Sequence, residues 1–226
     1  MTTLSTPPLS TLLARLFADA DETDAILEQK VATLLPEERA KMMTGATDYQ
    51  ALYSHMKDFH LAVSRETGTL LYMLARATGA RSIIEFGTSF GVSTLHLAAA
   101  LKDNGGGHLI GTEFEPSKVV HARENIDAAG FSDLVEIREG DALQSLSHNL
   151  PDTIDFVLLD GAKALYSSVL SLVETRLRAG AFVVADNADY SPEYLARVRS
   201  PAKGYLSVPF AGDVELSMKL GTSGAA

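Results

Sequence analysis

Three oxygen-bearing side chains and one lysine stand out by type and spacing. Asp160 closes an apolar run at 153–159, and Asp186 with Asn187 closes a second at 181–185. Carboxylate and amide oxygens are hard ligands. With water and substrate oxygens, they suit the octahedral shell that Mg²⁺ demands. Lys163 follows Asp160 by three residues, so it projects into the same cleft. An amine beside a metal in a partly desolvated cleft has its neutral form favoured, and a neutral amine is a general base. Each of these residues alone is also an ordinary turn or surface residue; their concurrence at neighbouring strand ends is what points to chemistry.

A second group surrounds Ile83-Ile84-Glu85-Phe86-Gly87-Thr88-Ser89-Phe90-Gly91-Val92-Ser93-Thr94, where an apolar strand end runs through glycines into a helix former. Three readings compete. A dinucleotide fingerprint needs G-x-G-x-x-G, and Ser89 stands where its middle glycine belongs. The same residues spell G-x-S-x-G, the nucleophile elbow, which requires an acid and then a histidine downstream; the last histidine is His148, before the later strands. The third reading is an S-adenosylmethionine site closing round the methionine part of that molecule. Glu85 then accepts from an amino group. Glu113, 22 residues after Gly91 (113 − 91), stands near the roughly 20-residue separation at which an acid meets ribose hydroxyls. Asp141 either accepts from an adenine amino group or caps the helix that starts there.

These residues need a scaffold that gathers strand ends at one edge. Leu9, Leu12, Leu13, Leu16 and Phe17 fall at helical spacing, and Ile26, Leu27, Val31, Leu34 and Leu35 do so again before Pro36, which predicts two amphipathic helices. In the segment 36–59, Tyr49, Leu52, Tyr53 and Met56 either line a pocket or form the buried face of a short helix. Ser64 is a candidate N-cap for a helix ending near Gly79. Strands are then expected at 81–86, 108–112, 134–138, 153–159 and 181–185, alternating with helices at 93–101, 116–130 and 164–178. That alternation predicts a doubly wound α/β fold with a parallel sheet and helices on both faces. After Asn187 come a short helix at Pro192–Val198 and two strands, 204–210 and 214–220, joined by Ala211-Gly212-Asp213, which predicts a terminal antiparallel hairpin and seven strands in all. Ligands of such a sheet bind beyond the carboxyl ends of its strands.

The totals narrow the function further. The chain has 226 residues, enough for one well-buried α/β core, and a net charge of −10, which argues against a nucleic-acid backbone as partner and for a small neutral or cationic one. It has no cysteine, so disulfides and thiolate metal sites are excluded and a reducing cytoplasm is the expected location. No secretory signal and no membrane span are expected.

Over residues 61–220 the chain resembles the class I S-adenosylmethionine-dependent methyltransferases, and among them the cation-dependent catechol and caffeoyl-coenzyme-A O-methyltransferases. Glu85-Phe86-Gly87 with Gly91 and Ser93, Asp160-x-x-Lys163, and Asp186-Asn187 carry the resemblance. It implies that Glu85, Gly87 and Ser93 hold the methionine part, Glu113 the ribose, and Asp141 and Ala142 the adenine. Val63 would lie over the cofactor and Asp160 would also contact it; Asp160, Asp186 and Asn187 would be the ligands of a divalent cation, expected to be Mg²⁺, and Lys163 would be the base. It further implies a homodimer, a vicinal di-oxygen aromatic acceptor, and residues 1–60 as a helical cap over a catalytic domain at 61–226. The competing functions are a metal-independent N- or O-methyltransferase and a non-catalytic cofactor-binding module. Two departures stand out. Gly161-Ala162 are small where the animal catechol enzymes carry large residues, which predicts a thin pocket wall, and Ser207 stands nearest to where those enzymes set an acid against a substrate hydroxyl.

Overall fold

The structure, a computed structural model, describes residues 2–35, 37, 38 and 49–221. Helix α1 (Leu9–Ala32) is followed by α2 (Tyr49–His55), α3 (Arg65–Ala77), strand β1 (Ser82–Phe86), α4 (Val92–Asp103), β2 (His108–Glu113), α5 (Pro116–Ala128) and β3 (Val135–Glu139). Next come α6 (Ala142–Ser145), β4 (Ile154–Leu159), α7 (Tyr166–Val173), β5 (Leu177–Ala185), α8 (Pro192–Val198), β6 (Tyr205–Phe210) and β7 (Val214–Lys219). The seven strands form one sheet in the order β3-β2-β1-β4-β5-β7-β6. The first five run parallel, whereas β7 pairs antiparallel with both β5 and β6. This is the expected doubly wound sheet with its terminal hairpin.

Alternation along the central strands sets the two cores. Ile83, Phe156 and Leu158 point to the face covered by α1, α3, α4 and α5, and Ile84, Val157 and Leu159 point to the face covered by α6, α7 and α8. Helix α4 is buried on every side from Val92 to Leu101, because it lies between the sheet and the α1 and α3 layer, and its polar Ser93, Thr94 and His96 are hydrogen-bonded there to Glu85 and Val92 O. Ser64 caps α3 as predicted, its Oγ accepting from the Thr67 N–H at 3.0 Å.

Eight of the ten apolar positions, Leu9 to Val31, belong to one helix rather than two, and Leu34 and Leu35 follow its end. Between Phe17 and Ile26 lie Ala18 to Ala25, polar but free of Pro and Gly, so nothing interrupts the main-chain hydrogen bonds of α1. Pro36, expected to end the second helix, lies outside the described residues, as does the side chain of Leu52. The expected helix at 164–178 is shorter at both ends. Single 3₁₀ turns at Lys163–Leu165 and Glu174–Arg176 flank α7, and β5 begins at Leu177, where Arg178 reaches Asp155 of β4 at 2.5 Å.

At the carboxyl edge, main-chain bonds run one residue past each strand. Asp160 N–H donates to Phe86 O at 2.7 Å, Gly140 N–H to Glu113 O at 2.8 Å, and Asp186 N–H to Leu159 O at 2.9 Å. Residues that follow different strands are thereby stapled side by side. The strand order reverses between β1 and β4, which opens a crevice at this same edge.

Candidate active site

Two adjoining cavities occupy that edge. One encloses about 850 Å³ over the ends of β1 and β2, and the other encloses about 1730 Å³ beside β4 and β5. Tyr53, Leu61, Ala62, Val63 and Asp160 line both.

The first cavity brings together Val63, Gly87, Ser93, Glu113, Asp141, Ala142 and Asp160, seven of the eight residues expected to hold a cofactor. Gly87 has φ +97, and a Cβ there would lie 2.5 Å from Asp160 O, so only glycine lets β1 and β4 meet this closely. Glu113 is held by two main-chain donors, Ser89 N–H at 2.7 Å and Glu115 N–H at 2.9 Å. Asp141 fills the capping role, accepting from Leu143 N–H at 2.8 Å at the start of α6, and it also lines the cavity.

Glu85 departs from its expected role. It is fully buried beneath the cavity rather than lining it, and accepts hydrogen bonds from Ser93 Oγ at 2.6 Å, Thr88 Oγ1 at 3.1 Å and Thr94 Oγ1. Its oxygens anchor the glycine turn and the start of α4 instead of facing a ligand. Burial pushes its carboxyl up to about 7 against the pull of the Ser93, Thr94 and Thr88 hydroxyls. Ser89 is likewise no nucleophile: its Oγ donates to His60 O at 2.5 Å and accepts from Lys118 Nζ at 3.0 Å, and the His60 ring pairs with Thr23 at 3.1 Å.

The second cavity contains Asp160, Lys163, Asp186 and Asn187 together. Lys163 Nζ lies 3.1 Å from Asp160 Oδ1, and both side chains are nearly inaccessible. Burial raises the Asp160 carboxyl even against Lys163, and burial with the neighbouring Asp160 charge pushes Asp186 up to about 8. The neutral lysine expected beside a metal is not the form that these side chains favour by themselves. Burial alone would depress the Lys163 ammonium, but Tyr166, Asp160, Tyr53 and Asp186 outweigh it and hold it well above the ordinary lysine value. Among the described residues, no cluster of three or more His, Cys, Asp or Glu side chains is fit to hold a metal. The candidate set is two carboxylates and one amide, and two buried carboxylates that cannot both stay charged unaided suit a hard divalent cation.

Several residues at this edge escape sequence reasoning. Asp213, in the turn between β6 and β7, accepts from Asn187 Nδ2 at 3.1 Å, which leaves the amide oxygen of Asn187 as its free end. Ser207 faces Glu215 and Ser217 within the hairpin, so Ala211 and Asp213 of its turn, and not residue 207, line the cavity. The thin wall predicted at Gly161-Ala162 is covered by Tyr53 of α2, whose hydroxyl donates to Gly161 O at 3.3 Å. Gly161 has no room for more, since a Cβ would lie 2.6 Å from the Phe86 ring. Tyr53 has an apolar-face alternative, and nothing in the sequence singles out Asp213 or Lys118; periodicity carries no signal that separates such roles.

Residues 84–188 match the family model described as a methyltransferase domain. The chain is 35% identical over 130 residues to the catechol O-methyltransferase of Niastella koreensis, covering 56% of this chain and 58% of that protein. It is 26% identical over 151 residues to the caffeoyl-CoA O-methyltransferase of Petroselinum crispum, covering 65% and 62%. The matches thus span less than two thirds of these curated relatives. The solved O-methyltransferase TomG of Streptomyces achromogenes, involved in tomaymycin synthesis and in complex with SAM, superposes with a TM-score of 0.64 at 25% identity, over 90% of this chain and 99% of that one. In sequence and in fold the chain is thus similar to S-adenosylmethionine-dependent O-methyltransferases. No helix among the described residues is long and apolar enough to cross a membrane.

Proposed function

We propose that the protein transfers the methyl group of S-adenosylmethionine to a hydroxyl of a small vicinal-diol aromatic acceptor, with a divalent cation and Lys163 assisting. One observation carries this reading: the cofactor cavity and the cavity of Asp160, Lys163, Asp186 and Asn187 share a wall at Val63, Tyr53 and Asp160. S-adenosylmethionine supplies an electrophilic methyl on a sulfonium, which the acceptor oxygen displaces in one step to release S-adenosylhomocysteine. A cation held by Asp160, Asp186 and Asn187 would chelate two neighbouring acceptor oxygens, lower the pKa of one and, by neutralising both carboxylates, loosen the proton on Lys163.

The chain's own residues then do the rest. Gly87, Ser93, Glu113 and Asp141 hold the cofactor against the glycine turn, Val63 and Tyr53 fix the angle between the two ligands, and Lys163 takes the acceptor proton. Most of the acceleration comes from that orientation. Leu27 and Val31 of α1 and Met56 beside α2 line the acceptor cavity, which supports reading residues 1–60 as a cap that shapes access and excludes water. A homodimer is part of the same proposal, resting on the resemblance alone.

The test is a calorimetric titration of Mg²⁺ into the S-adenosylhomocysteine-loaded protein, beside Asp186→Ala. Binding in the parent and not in the variant is the expected result; Lys163→Ala is expected to retain cofactor affinity and lose turnover by about 100-fold or more. A second reading draws on the lack of a three-acid cluster among the described residues and on the charged state of Lys163. It is a metal-free methyltransferase in which these side chains contact the acceptor directly, and full activity in a strong chelator selects it.

A further inference from the structure

Lys118 of α5 is an anomaly that the proposed reaction does not use. It is 3% exposed, yet it lines the cofactor cavity. An ammonium has three donors, and among the described residues this one has a single hydrogen-bond partner, Ser89 Oγ at 3.0 Å, with the Phe90 ring centroid 5.6 Å away. No carboxylate comes within ion-pair distance of it among the described residues. The strongest charge acting on it is Glu113, which lines the same cavity and is held there by Ser89 N–H and Glu115 N–H. A buried cation and a half-buried carboxylate thus share one cavity without an ion pair between them. Leaving donors of a buried ammonium unsatisfied costs more than an ordinary hydrogen bond yields.

The group that completes such a pair both donates and accepts, and it must be small and neutral. A hydroxyl meets these conditions: it donates to the carboxylate and accepts from the ammonium. A second carboxylate ligand would satisfy Lys118 but repel Glu113, and a ligand ammonium would do the reverse. We infer that Lys118 is a cofactor-binding residue that donates to a ribose hydroxyl oxygen of the bound nucleoside, so that Lys118 and Glu113 clamp the sugar from two sides. Ser89 links the two arms of the clamp, through its N–H to Glu113 and its Oγ to Lys118, which gives a reason for a serine rather than a glycine at its left-handed φ of 48. The inference rests on reading this cavity as the S-adenosylmethionine site.

The experiment is calorimetry of S-adenosylhomocysteine and of its 2′-deoxy and 3′-deoxy analogues with the full chain, the parent beside Lys118→Met. The parent is expected to bind at least one deoxy analogue about tenfold more weakly than S-adenosylhomocysteine, and Lys118→Met is expected to weaken S-adenosylhomocysteine about tenfold while erasing most of that preference. Parental affinity in Lys118→Met overturns the assignment. So does an equal loss for all three ligands, which is what a lysine that merely props Ser89 would produce. A parent that binds none of them overturns the cofactor reading itself, and the lysine's role with it. Should Lys118→Met not fold, Lys118→Gln carries the same comparison.

Discussion

At the scale of single residues, the site separates groups that touch ligands from groups that hold those groups in position. Glu85 is the clearest case of the second kind, and its burial has a thermodynamic signature. Its carboxyl rises from 4.5 to about 7 on folding, so the native state binds a proton that the unfolded chain releases. The stabilisation linked to that proton is fully present below about pH 4.5 and is lost as pH rises through about 7, with an upper bound of about 3 kcal/mol. Glu85→Gln keeps the shape and removes the ionisation. Urea unfolding from pH 4.5 to 8 is expected to show the variant gaining on the parent as pH rises; a stability difference that stays constant across that range contradicts the assignment. Asp160 and Lys163 were legible as a pair because they stand three positions apart just after a strand. The protonation of Lys163 was not, because it depends on Asp186, Tyr166 and Tyr53, which only folding brings near it.

At the scale of elements, the loop between α2 and α3 is the part most exposed to perturbation. Leu61 has φ 49, a conformation that costs a side-chain-bearing residue of the order of 1 kcal/mol or more. It is held by α1: Asp24 accepts from Leu61 N–H at 3.2 Å and from Ala62 N–H at 3.4 Å, and Thr23 pairs with His60 at 3.1 Å. The same loop closes the cofactor cavity, since His60 O accepts from Ser89 Oγ. Asp24→Ala is therefore expected to speed dissociation of S-adenosylhomocysteine by about three- to tenfold, measured by stopped flow, as the loop loses two charge-assisted hydrogen bonds. An unchanged dissociation rate would separate α1 from the closure of the site. Helical spacing made the apolar stripe of α1 readable; the contact of its polar side with a loop 37 residues away was not.

At the scale of the whole molecule, both cavities lie where one sheet meets its helical cover, so ligand binding and global stability are linked. S-adenosylhomocysteine at a hundredfold excess over its dissociation constant is expected to add about 2.7 kcal/mol to the unfolding free energy, read as a rise in thermal midpoint that grows with ligand concentration. A midpoint indifferent to ligand would mean that the cavity does not bind it in the native state. The order of strands and helices, the glycine turn and the acids at the strand ends were determined by sequence alone, because hydrophobic period and turn chemistry act over a few neighbours. Tertiary structure alone decided that Glu85 turns inward, that Tyr53 covers Gly161, that Asp213 orients Asn187, and that Lys118 and Glu113 share a cavity. Those outcomes depend on the relative positions of segments distant in sequence, and on the cost of burying charge, which no local pattern encodes.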